Sequence, residues 1–129
     1  MTQKIAIAVS FLTGLGMIFI GARFLLAPGV AETGYGIQFN EHGDYSFHYI
    51  KGIRDVFTGL VLCILVLSRQ TKALGIVLSV GTIVPVVDLL IVLSKDYNGT
   101  AQATSHISAI IVCAIVGAIL LVTKPTVKI

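Results

Sequence analysis

The sequence predicts an all-α fold, an integral membrane bundle of four antiparallel transmembrane helices forming one domain over residues 1–129. Three observations predict it. Hydrophobic residues make up 56 % of the 129 residues and charged residues only 12 %, about half the charged share of a soluble domain. Mean hydropathy is +0.97, too apolar for a fold that must clothe its surface in polar groups. The apolar residues fall in four continuous runs, each close to the ~20 residues that a helix needs to cross the hydrocarbon core. Continuous rather than alternating runs exclude a spanning β-barrel. The same composition excludes a soluble enzyme and a disordered tail. Nucleic acid is not an expected partner, because the nine basic residues, against six acidic ones, are scattered along the chain. The expected partner is the lipid bilayer.

The first span is expected over about 5–27, just after Lys4. It loosely fits a signal peptide, but the run is long and is expected to be retained. The segment Pro28 to His48 is the long loop, with Gly29, Gly34, Gly36, Asn40 and Gly43. The second span is expected over 49–68, and Arg69-Gln70-Thr71 leaves room only for an antiparallel hairpin into the third, 72–93. The fourth, 104–123, stops at Lys124-Pro125. Small residues at helical spacing provide the packing faces that membrane helices need. They are Ala6, Ser10, Gly14 and Gly21, then Gly52 and Gly59, Gly75 and Ser79, and Ala109, Cys113 and Gly117. Cys63 and Cys113 lie in different spans without a C-x-x-C motif, so both are expected to be packing residues rather than redox or metal ligands. Neither a cofactor nor a metal is expected.

Charge then orients the bundle. One side holds Lys4, Arg69, Lys72, Lys124 and Lys128 with no acid, whereas the other holds four bases and six acids, Glu41 among them. The positive-inside rule places both termini in the cytoplasm and the two longer loops outside or in a lumen. Eight of the ten aromatics, the seven from Phe24 to Phe57 together with Tyr97, lie toward that outer side. Asn98-Gly99-Thr100 is an acceptor pattern for N-glycosylation on the same side.

Charges inside a span cost about 2.5–3.5 kcal/mol each on insertion scales, so each needs a reason. Arg23 in the first span, Lys51, Arg54 and Asp55 in the second, Asp88 in the third and His106 in the fourth fall in one layer near the outer face. Asp88 lies about 8 Å inside its span at 1.5 Å per residue. Pro85, one turn earlier, removes a backbone hydrogen bond and can kink that helix open. Asp55, Asp88, Arg54 and His106 are the candidate catalytic residues, and Arg23, His48, Tyr49 and Lys51 are the candidate substrate-binding ones. One carboxylate beside a cation can activate water or a hydroxyl while a second, in apolar surroundings, protonates a leaving oxygen. Limonene-type epoxide hydrolases use an Asp-Arg-Asp set of this kind, a likeness of chemistry and not of sequence. The same layer can shift a double bond in a lipophilic small molecule, with Asp55 or Asp88 as base and His106 as acid. The plainer alternative is structural: Arg54 with Asp88, or Arg23 with Asp55, as ion pairs that fix helix register in a non-catalytic subunit or assembly factor. A third is a proton-coupled carrier, which at four spans would work as a homodimer.

The segment F-L-L-A-P-G-V-A-E-T-G-Y-G-I from Phe24 to Ile37, with Y-I-K-G-I-R-D-V-F-T-G from Tyr49 to Gly59, resembles uncharacterised small four-helix membrane proteins of fungi and bacteria within the DoxX-like group. Pro28, Gly36, Gly52, Arg54 and Asp55 carry the resemblance. It implies the four-helix fold and no particular activity. The chain has no Trp, and neither Glu lies in an expected span, unlike sterol-isomerase-type four-span proteins. It also lacks the first-span Glu of small multidrug exporters.

Overall fold

The computed structural model of the protein describes residues 2–38 and 42–123; Phe39, Asn40, Glu41, Lys124, Pro125 and Lys128 lie outside the described residues. Six helices make up the described chain: α1 (Thr2–Leu26), α2 (Pro28–Tyr35), α3 (Ser46–Leu67), α4 (Thr71–Gly81), α5 (Ile83–Leu93) and α6 (Thr100–Val122). Each boundary has a local cause. Ala27, at φ −143° and ψ 63°, leaves the helical region that a residue before proline avoids, and it separates α1 from a second helix with Pro28 at its first turn. That helix stops at Gly36, whose φ of +97° and N–H to the Glu32 carbonyl form a left-handed cap. The expected irregular loop after the first span is thereby corrected. Proline at the start and glycine just past the end enclose a helix of eight residues.

Asp44 starts α3 by accepting the Ser46 N–H at 2.9 Å and its hydroxyl at 2.5 Å. The α3–α4 hairpin closes with Arg69 in the left-handed region at φ +59°. The Arg69 and Gln70 N–H groups donate back to the Val66 and Leu65 carbonyls, a Schellman arrangement. Helices α4 and α5 form one apolar rod over Thr71–Leu93 that is interrupted at Thr82. Pro85 has no N–H to return to the Gly81 carbonyl, which explains the interruption there. The interruption falls one turn before Asp88, where the kink is expected.

Helices α1 and α3 form the most extensive contact, and they are antiparallel. A Cβ at Gly21 would meet the Gly52 carbonyl at 2.5 Å, and one at Gly14 would meet the Gly59 carbonyl at 2.9 Å. Two glycine pairs, seven residues apart on each helix, thus bring the backbones together where any side chain would hold them apart. Helix α6 runs along α4 and α5 by the same device: a Cβ at Gly117 would meet the Ser79 N–H at 2.9 Å and the Gly75 carbonyl at 3.2 Å. Ala6, Leu62, Leu74, Leu78, Val116 and Leu120 join α1, α3, α4 and α6 into an apolar core at one end of the bundle. Outward faces are apolar too, with Leu12, Phe19, Ile64, Ile83 and Leu90 exposed. A protein whose surface is as apolar as its core is built for a lipid solvent.

Among the described residues three helices are long and apolar enough to cross a membrane: α1, the α4–α5 rod and α6. Helix α3 is 22 residues long but carries Lys51, Arg54 and Asp55 in its first half, and so stands apart from the other three.

Candidate functional site

At the end of the bundle opposite the apolar core, the helices bring together polar groups, and α2 supplies the centre. Within α2, Glu32 and Tyr35 are three residues apart and face the bundle together. Glu32 is buried, and its carboxylate lies 2.6 Å from Nε2 of the fully buried His48 at the start of α3. Tyr35 reaches further in. Its ring stands edge-on to Phe24 of α1 at 5.9 Å and 81° between planes, and edge-on to His106 of α6 at 4.9 Å and 90°. The Lys51 ammonium of α3 sits over it, 4.6 Å from the ring centre, and 5.0 Å from that of Phe24. The carboxylate of Asp88 on α5 lies close enough to act on the Tyr35 phenol. Burial first, and then that carboxylate, raise the phenol well above its ordinary value, so it remains a donor at any physiological pH.

The ammonium of Lys51 is held in turn by Asp55, one turn along α3, at 2.7 Å. Asp55 is buried, and the pairing with Lys51 is what makes a carboxylate tolerable there. His106 Nε2 lies 3.1 Å from the Tyr35 carbonyl; because a carbonyl only accepts, that nitrogen carries the proton. Asn98 completes the anchoring of α2. Its amide nitrogen donates both to the Gly36 carbonyl at 2.7 Å and to the Val92 carbonyl at 2.9 Å. Gly36 is required for this approach, since a Cβ would lie 3.0 Å from Cβ of Gln102. The Asn98 nitrogen expected as a sugar acceptor is therefore committed to two backbone carbonyls.

Of the expected site residues, Lys51, Asp55, Asp88, His106 and His48 converge. Arg54, Arg23 and Tyr49 do not. All three are exposed, Arg54 because it lies about 100° around α3 from the inward-facing Asp55. The expected ion pairs of Arg54 with Asp88 and of Arg23 with Asp55 are corrected accordingly. Asp55 takes its cation from its own helix, and Asp88 lies toward the Tyr35 phenol. Tyr35 and Glu32 were not among the expected site residues. The spacing of Pro28 and Gly36 carries the signal that would have found them, because it marks a short helix whose one face holds both. Among the described residues no group of three or more His, Cys, Asp or Glu could hold a metal ion. Cys63 is buried against Gly14 and Cys113 is half-buried, both as free thiols.

Apolar outward faces on three helices of spanning length define a multi-pass integral membrane protein. The chain belongs to the DUF4267 family, a domain of unknown function, whose model matches residues 14–120. No curated protein and no solved structure matches it.

Proposed function

We propose that the protein spans the membrane four times, with both termini cytoplasmic, and uses the polar cluster on the outer side to bind a lipophilic small molecule and isomerise it by proton transfer. The fourth span is α3: its glycine pairs with α1 at Gly14–Gly59 and Gly21–Gly52 keep the two helices in step along their length, which supports α3 crossing wherever α1 crosses. The architecture also accords with the small DoxX-like membrane proteins. The single observation that carries the chemistry is the Lys51 ammonium of α3, held by Asp55 at 2.7 Å and set 4.6 Å from the centre of the Tyr35 ring, with the Asp88 carboxylate of α5 close enough to act on the same phenol. Asp88, on the helix facing that phenol, suits the general base. Lys51, steadied by Asp55, is the cation that would stabilise a developing enolate oxygen. Epoxide opening is the weaker branch of the acid/base reading, because Arg54 lies outside the cluster and the Asp-Arg-Asp set does not form.

The test offers purified protein in mild detergent a series of lipophilic β,γ-unsaturated ketones in D2O, following conjugation by absorbance and deuterium uptake at carbon. The expected result is turnover by the wild type and a loss of about 10²-fold or more in Asp88→Asn, in keeping with general-base catalysis. Full activity in both Asp88→Asn and Asp55→Asn would overturn it. A second reading has one observation in its favour: Lys51–Asp55 and Glu32–His48 are already partnered, as a purely structural lock in a non-catalytic subunit would be. That reading requires the same Asn variants to melt earlier, with no activity to lose. A proton-coupled carrier has less support. Residues 5–22, 56–67, 73–87 and 107–122 hold no ionisable side chain other than the Cys63 and Cys113 thiols, so no ladder of ionisable groups links the cluster to the opposite face.

A further inference from the structure

We propose that Lys51 is the attachment point for a lipophilic aldehyde or ketone, which it holds as a protonated imine with Asp55 as the counter-ion. Lys51 stands on the seam between the two faces of α3. Toward the bundle it is joined by Asp55, whose carboxylate lies 2.7 Å from its Nζ, and by the rings of Phe24 and Tyr35, whose centres lie 5.0 Å and 4.6 Å from the same atom. On its other flank Phe47, four residues earlier, and Thr58, seven later, are exposed, and the Lys51 side chain itself is 26 % exposed. A ligand dissolved in the bilayer therefore reaches the amine along the side of α3, with every tie of α2 left in place. The surroundings select a positive nitrogen set against apolar surface. An ammonium and an iminium carry the same charge, so the carboxylate and the rings that hold the first also hold the second.

The step balances within the pair. Asp55 takes one proton from the ammonium, and the freed amine forms a C–N bond to the carbonyl carbon while the C=O π pair moves to oxygen. A proton then passes from that nitrogen to that oxygen, which gives a neutral carbinolamine. Asp55 returns its proton to the hydroxyl, the C–O bond breaks as water leaves, and the nitrogen lone pair closes the C=N bond. One carbonyl group is consumed, one water is released, and the carboxylate and the positive nitrogen stand as they began. Lysine suits this role because its amine can give up a proton, which the guanidinium of the neighbouring Arg54 does not do. The inference deepens the isomerase reading and rests on it for the use made of the imine: a positive C=N draws electrons from the adjacent C–H bond more strongly than a ketone does, which eases removal of that proton.

The experiment incubates the detergent-solubilised full chain with decanal, traps imines with sodium cyanoborohydride and maps the adducts by intact mass and peptide sequencing. Lys4, Lys72 and Lys95 are exposed and have the advantage of access. Lys51 should nevertheless be modified about tenfold faster than any of them, and Asp55→Asn should slow its modification about tenfold or more, since Asp55 moves both protons. The preference should vanish when the wild type is denatured before the aldehyde is added. Modification spread evenly over the lysines, or confined to the exposed ones, would overturn the proposal, because the ammonium would then be locked to Asp55 as a structural ion. The native and denatured wild type decide this by themselves if Asp55→Asn does not fold. The two failures are distinguishable. Turnover that depends on Asp88, without an adduct at Lys51, leaves the isomerase and removes the covalent step. An adduct at Lys51 beside fully active Asn variants removes the isomerase and leaves the attachment site.

Discussion

Lys51 shows how a charge becomes tolerable where its neighbours are helices and lipid. Its ammonium is placed between two rings and one carboxylate, so removing it strands Asp55. Lys51→Met is expected to lower stability by about 3–5 kcal/mol, and Lys51→Met with Asp55→Leu to recover most of that, because the pair is costly only when broken. Thermal melts of the three variants in one detergent check this. Asn98 should remain without a glycan even in a glycosylating host, and Asn98→Ala should cost about 1–3 kcal/mol because two carbonyls lose their donor; intact mass and Tm measure both. Asp44 carries a pH dependence. The Ser46 hydroxyl and N–H hold its carboxyl below the usual range, so its contribution is present above the unfolded carboxyl's range. It is lost as pH falls through the lowered folded value. Amide exchange at the start of α3 should quicken in that acid window and lose this step in Asp44→Asn. At this scale the sequence was half legible. Spacing put Lys51, Asp55, Asp88 and His106 at one depth, but depth does not say which way a side chain points. Arg54 and Asp55 stand about 100° apart around the helix, and depth alone does not say which of them faces the cluster.

The glycine pairs between α1 and α3 make a sharp contrast available. Gly21→Ala would set a methyl 2.5 Å from the Gly52 carbonyl and 2.7 Å from the Val56 N–H, both backbone, so neither can swing away. It is expected to destabilise the chain by about 1–3 kcal/mol through forced separation of the pair. Gly16→Ala meets nothing within 4 Å and should be neutral or gain about 0.5–1 kcal/mol from helix propensity alone. A lower Tm for the first and an unchanged or higher one for the second is the result to look for. Four of the helical stretches were readable from hydropathy, with ends displaced by a few residues, and small residues at helical spacing marked the faces that pack. Helix α2 was not, because eight residues rich in glycine and alanine carry too little apolar periodicity to register. Its signal lay in punctuation, Pro28 before and Gly36 after.

The membrane topology belongs to the whole chain. In a background with Cys63 and Cys113 replaced by alanine, Asp44→Cys and Asp96→Cys should react with an impermeant thiol reagent from one side of the membrane and Arg69→Cys from the other. Labelling of Asp44→Cys and Arg69→Cys from the same side, with Asp96→Cys from the other, would leave α3 out of the membrane and end the four-span reading. The bundle's membrane character was legible from composition, since lipid asks only for apolar faces and satisfied backbones. Which polar groups meet depends on how helices rotate and where a short helix folds back, and composition carries no record of either. The segregation of the molecule into a polar end and an apolar end has an electrical consequence. A transmembrane voltage acts on a charge in proportion to the fraction of the field it lies across. With Lys51, Asp55 and Asp88 gathered near one face, nearly all of that field would drop across the half of the bundle that holds no charge. Proton exchange at the cluster should then follow the pH of its own compartment and be blind to the membrane potential.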